Sequence, residues 1–220
     1  MSSAAEASDR QGRRRFDAVH LWSTTVTGAA ALGIALFNLV TLQADPQTDV
    51  TLPHVLRVAQ GGEVWLYLQP TLSTRYRTET VEVIDGARLE LRRTGAPPAE
   101  PVPAFYWDEI GSFDYNFDSN DLNYRRVADP APLLVTQDKP QQPLMLFVAE
   151  RWAFRPGRYE GELTLQRSGD RGDITHRLCV LVTAEAMDKF KAGGQRKHFD
   201  FRNDRPRPPG TPPDPSCYEH

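Results

Sequence analysis

The chain has 220 residues and a formal net charge of -3, enough for one ordinary domain with appendages. Residues 44–186 carry 15 Lys+Arg against 21 Asp+Glu, a net of -6, and that surface would repel nucleic acid phosphates. Cys179 and Cys217 are too few and too far apart for a disulfide framework, a zinc site or a CxxC redox motif, which leaves open whether the two pair.

The first 20 residues form a polar tail with Arg10, Arg13, Arg14 and Arg15. From Ala18 to Ala44 there is no acidic residue and no Lys or Arg, and residues 21–43 are mostly Leu, Ala, Val, Ile and Phe. A helix of that length rises ~1.5 Å per residue and spans a bilayer core of ~30 Å. Trp22 suits the inner boundary, and the four arginines before the segment outnumber Arg57 after it, so the N-terminus is expected in the cytoplasm. The expectation is a single-pass signal anchor in the plasma membrane. The competing reading is a cleaved signal: Ala44 stands at a possible cleavage point, and Arg13-Arg14-Arg15-Phe16 resembles the core of twin-arginine export signals. Leu42, where that site wants a small residue, and Asp17 count against it. Ala29 and Gly33, with Ala31 and Ala35, give a small-xxx-small face suited to homodimerisation through the helix. Only four of 26 basic residues are Lys and no Asn-x-Ser/Thr sequon occurs, which suits a high-GC bacterium.

After a linker at 44–51, residues 52–185 read as short strands between turns. In Glu63–Gln69, Val64, Leu66 and Leu68 line one face and Trp65 and Tyr67 the other, which predicts a central strand. Val81, Val83, Leu89 and Leu91 around Ile84-Asp85-Gly86 predict a hairpin with a three-residue loop. Pro97–Pro103 is a loop, and Phe113, Tyr115 and Phe117 alternate with polar residues as the buried side of a strand. Further strands are predicted at Leu144–Glu150, Tyr159–Arg167 and Ile174–Thr183, the last with Leu178, Val180 and Val182 inward and Cys179 on the opposite face. Ala184–Lys191 suits a short helix. Residues 186–220 otherwise read as a disordered Pro-rich tail, with PxxP spacing at Pro206, Pro209, Pro212 and Pro215.

Arg155-Pro156-Gly157-Arg158-Tyr159, followed by Glu160–Leu165 and a last strand at Thr175–Thr183, resembles the turn and closing strands of immunoglobulin-like and fibronectin type III-like domains. The resemblance covers residues 50–185 at the level of fold. It implies a β-sandwich in which the Tyr159 hydroxyl bonds back to the backbone. The inter-sheet cysteine pair and core Trp of antibody domains are not recognisable. Since that fold hosts many functions, it carries no chemistry with it.

The stretch from Tyr106 to Tyr124 is the most unusual. Asp114, Asn116, Asp118 and Asn120 repeat the spacing that opens a calcium loop, but Ser119 replaces the turn glycine and Arg125 stands where a bidentate Glu belongs. No metal or other cofactor is therefore expected. Tyr106, Trp107, Asp108, Asp114, Asn116, Asp118 and Tyr124 mix stacking rings with acceptors and are the candidate binding residues. In this reading Asp114, Asn116 and Asp118 form an outward row beside Trp107 and Tyr124. No GxSxG, P-loop, GxGxxG or HExxH motif occurs, the five His residues are scattered, and the neighbouring acids Asp108 and Glu109 face opposite ways on a strand. The expected function is a non-enzymatic, membrane-anchored module that recognises a partner protein or envelope polymer. The alternative is an exported β-sandwich with a cleaved signal, acting as a ligand-binding protein or hydrolase.

Overall fold

The computed structural model describes residues 3–75, 80–118, 121–193, 197–205 and 217–220, without the side chains of residues 3–21. Pro206, Pro209, Pro212 and Pro215, together with Ser119 and Asn120, lie outside the described residues. Two compact units divide the chain, one holding the N-terminal helix and the other residues 46–75 and 81–220.

The helix α1 runs over Ser3–Gln43, and its segment Trp22–Gln43, 22 residues with a mean hydropathy of 1.8, is long and apolar enough to cross a membrane. Leu32, Ile34, Phe37 and Val40 stand exposed on it. Thr27 and Thr41 donate their hydroxyls to the carbonyls of Ser23 and Phe37 at 2.8 and 2.9 Å, satisfying polar atoms within the helix.

The second unit holds β1 (Thr48–Thr51), β2 (Val55–Gln60), β3 (Glu63–Leu68), β4 (Thr71–Thr74), β5 (Glu82–Arg93), β6 (Ala104–Asn116) and β7 (Asp121–Ala128). It continues with β8 (Leu133–Val135), β9 (Leu144–Glu150), β10 (Gly157–Arg167), β11 (Ile174–Val182), helix α2 (Ala184–Gly193), β12 (Phe199–Arg202) and β13 (Cys217–Glu219). Among the described residues nine strands close a barrel in the order β6-β9-β3-β2-β12-β13-β11-β10-β5, and β5 pairs back onto β6 through Leu89 and Phe105. β7 and β8 extend the sheet beyond the ring, and β1 pairs with β4 in a separate two-stranded sheet.

The expected immunoglobulin-like β-sandwich is therefore corrected to a closed barrel. Alternating inward and outward side chains look the same along a strand in either architecture, so the pattern does not distinguish them. Closure comes from β5, β6 and β10, of 12, 13 and 11 residues, long enough to coil and to pair along both edges. The corner bond implied by the resemblance is nevertheless present: the Arg155 amide donates to the Tyr159 hydroxyl at 2.8 Å, and that hydroxyl donates to the Arg155 carbonyl at 2.9 Å. It is a local device of the Pro-Gly turn and does not require a sandwich.

The predicted hairpin at Ile84-Asp85-Gly86 is replaced by one continuous strand. In β5 Gly86 faces Gln166 and Ile84 faces Arg167, so Asp85 is an inserted bulge residue. A Cβ on Gly86 would meet only the end of the Gln166 side chain, its oxygen at 2.5 Å. The bulge flips the alternation, so that Ile84 and Leu89 both reach the interior.

The barrel is filled by side chains, among them Leu56, Val58, Val64, Leu66, Met145, Phe147, Val180 and Phe201, with Ala186 and Phe190 of α2 joining them. β3 lies between β2 and β9, a central strand as expected, with Val64, Leu66 and Leu68 fully buried on one face. Phe199–Arg202 and Cys217–Glu219, expected within the Pro-rich tail, form β12 and β13 of the wall. β13 lies between β12 and β11, parallel to β11, and a disulfide joins Cys217 to Cys179 directly across that pair, their Cα atoms 4.3 Å apart. Glu82, fully buried at the start of β5, is held by Arg167 at 2.8 Å, Arg171 at 3.2 Å and the Thr48 hydroxyl at 3.0 Å, linking the small sheet to the barrel.

Candidate functional site

β6 carries most of the candidate residues, and a second bulge decides where they point. Trp107 pairs with Phe147, but Glu109 pairs with Leu146, so Asp108 is the inserted residue. Before the bulge Phe105 and Trp107 face the interior; after it Ile110 does, and Glu109, Gly111, Phe113 and Tyr115 turn outward. The expected faces are thus corrected. Trp107, placed outside in the sequence reading, is 8% exposed within the core and donates its indole N–H to the Glu109 carbonyl at 3.0 Å. Tyr115 and Phe117, predicted as the buried side, are 46% and 86% exposed near the end of the β6–β7 hairpin, their rings 4.8 Å apart edge to face.

Phe113 packs on the barrel's outer wall. With Tyr124, Trp65, Tyr67, Leu144, Leu146 and Val148 it forms a second apolar cluster on the outward faces of β3 and β9. Tyr67 meets Phe113 at 5.3 Å and Tyr124 at 4.8 Å between ring centres, and His198 lies 4.8 Å from Phe113. The Arg57 guanidinium sits 4.6 Å above the Phe113 ring while paired with Asp200 at 3.0 Å. Gly111 makes this packing possible, because any side chain there would collide with the Tyr124 ring.

Tyr124 donates its hydroxyl to Glu109 Oε2 at 3.0 Å; burial, then this bond and the Glu109 charge, raise its phenol well above the usual value. Burial also raises the Tyr67 phenol, with the Glu109 charge adding to it. His198 is lowered, chiefly by burial and then by Arg57, which favours the neutral imidazole. Tyr106, half exposed, donates to Glu150 Oε1 at 3.0 Å and is pushed up to about 12, first by desolvation and then by that bond.

The polar row expected to face outward is corrected as well: Asp114 and Asn116 lie on the face of β6 opposite Phe113 and Tyr115 and are engaged within the hairpin. Asp114 is exposed and paired with Arg125 at 2.9 Å, while Asn116 Oδ1 accepts the Asp118 amide at 2.9 Å, in the manner of an Asx turn. Tyr124 alone of the seven candidates borders an open cleft of about 400 Å³ lined by Trp65, Tyr67, Asp121, Asn123, Lys197 and His198, with Leu122 and Gly193. Trp65, Tyr67, Lys197 and His198 were not among the sequence candidates. The outward alternation of Trp65 and Tyr67 on a strand predicted to be central was their available signal; nothing local marked Lys197 and His198, which follow α2. Among the described residues, no group of three or more His, Cys, Asp or Glu side chains is placed to hold a metal ion. Compared with known protein families, curated proteins and solved structures, the chain matches none.

Proposed function

We propose that the protein is a membrane-anchored, extracytoplasmic binding module that recognises a partner protein or envelope polymer through the β6–β7 side of its barrel. The observation that carries this reading is the aromatic hairpin: Tyr115 and Phe117 stand in solvent beyond a bulge that directs them away from the core. Exposed rings beside charged groups are the usual makings of a binding hot spot. Anchoring rests on α1, and the arginines before it favour a cytoplasmic N-terminus. The disulfide supports the same orientation, since such bonds persist in oxidising compartments.

Two measurements test it. In spheroplasts, external protease should remove an epitope on the C-terminus and leave one on the N-terminus intact; protection of the C-terminal epitope would overturn the orientation. A photo-crosslinker at Phe117 should yield adducts to an envelope component in intact cells, and one at Leu134, exposed on β8 away from the hairpin, should not. Equal labelling from the two positions would remove the hairpin as the recognition edge.

A further inference from the structure

Resting on that reading, we infer that the cleft beside the hairpin is a subsite for a neutral saccharide, so that the polymer recognised is a glycan. The cleft, about 400 Å³, is bordered by the rings of Trp65, Tyr67, Tyr124 and His198 and by the polar side chains of Asp121, Asn123 and Lys197. Its volume falls within the range of ~300–1,000 Å³ usual for small-molecule sites.

Tyr67 gives the strongest indication. Only 4% of it is exposed, yet its hydroxyl has no hydrogen-bond partner among the described residues, whereas the neighbouring Tyr124 hydroxyl is engaged by Glu109. The Tyr67 oxygen is not sealed from solvent, so it is open on the cleft side, where a ligand oxygen could take up its unused donor. Trp65 is oriented by its indole N–H bond to Glu63 Oε1 at 2.8 Å, which holds the ring in place before any ligand arrives.

The charges select the class. Asp121 and Lys197 balance each other at the rim, and His198 is held toward its neutral form. Among the lining side chains an anion would meet Asp121 and a cation Lys197, so neither sign is favoured. A sugar offers hydroxyls that both donate and accept, and an apolar C–H face that packs on aromatic rings. An acceptor such as Asp121, donors such as Lys197 and the Tyr67 hydroxyl, and an amide at Asn123 that does both match that chemistry. The cleft is open rather than enclosed, as a site for part of a longer chain must be.

The test uses the full chain in lipid nanodiscs, which avoids sugar-based detergents. Maltotetraose, cellotetraose and chitotetraose are titrated calorimetrically, with inorganic phosphate and choline as charged probes. At least one tetrasaccharide should bind, and neither charged probe should. Tyr67→Phe, which keeps the ring and removes the hydroxyl, should weaken binding about three- to tenfold at unchanged Tm. Trp65→Ala should weaken it further. Absence of binding by all three sugars at about 10 mM, binding of phosphate or choline instead, or full affinity in Tyr67→Phe would overturn the assignment. Crosslinking through Phe117 is independent of the cleft: adducts without sugar binding would leave the module intact and remove only the saccharide, whereas loss of both would remove the broader reading too.

Discussion

The two halves of β6 differ by one inserted residue and serve opposite ends. Up to Trp107 the strand supplies the barrel interior; from Glu109 onward its odd-numbered side chains leave the wall, cover the outward face of β9 and β3, and reach solvent at Tyr115 and Phe117. A single strand thus builds both core and candidate recognition surface. The division is set by the bulge at Asp108 rather than by residue type, since aromatic rings occur on both sides of it.

That comparison can be broken most severely on the inner half. Trp107→Ala should cost about 3–5 kcal/mol of stability in denaturant titration, because it opens a cavity in a filled core. A loss below about 1 kcal/mol would place the ring outside, contrary to the bulge assignment.

The closure of the wall is the next target. Removing the bridge with Cys179→Ala and Cys217→Ala should cost about 2–4 kcal/mol, and reductant should destabilise the native chain by a similar amount while leaving the double variant unchanged. A native chain indifferent to reductant would show that β13 holds its place without the bond.

On the outer half, Gly111→Ala should cost about 1–3 kcal/mol, because the new methyl displaces the Tyr124 ring and with it the bond to Glu109. The tyrosine absorbance titration should then shift to lower pH, since the burial and the acceptor that raise the Tyr124 phenol are lost together. An unchanged titration would mean that Tyr124 does not lie over Gly111.

Tyr159→Phe removes both bonds of the Arg155 corner and should cost about 1 kcal/mol; since the corner shares no partner with the β6 bulge, this should add to the effect of Gly111→Ala. The smallest effect belongs to the end of the hairpin: Phe117→Ala should change stability by less than about 0.5 kcal/mol while reducing partner capture. A large loss of stability there would make Phe117 a structural residue and erase the contrast with Trp107.

Much was legible in the linear pattern because it depends on neighbours in sequence. The apolar span ending at Gln43, the strands at Leu144–Glu150 and Ile174–Val182, and the shared face of Val64, Leu66 and Leu68 follow from local periodicity, and the Tyr159 corner from the resemblance of its Pro-Gly turn to that of immunoglobulin-like domains. Tertiary structure decided the rest. Closing the ring requires β5 to find β6 and three residues at the C-terminus to settle between β12 and β11, pairings that no local pattern encodes. Bulges at Asp85 and Asp108 each insert a residue and invert every side chain beyond it, so alternation predicted that faces exist but not which face looks inward. The aromatic cleft arises the same way: Tyr67, Tyr124 and His198 are far apart along the chain and meet because the hairpin packs across the outer wall beside the segment that follows α2.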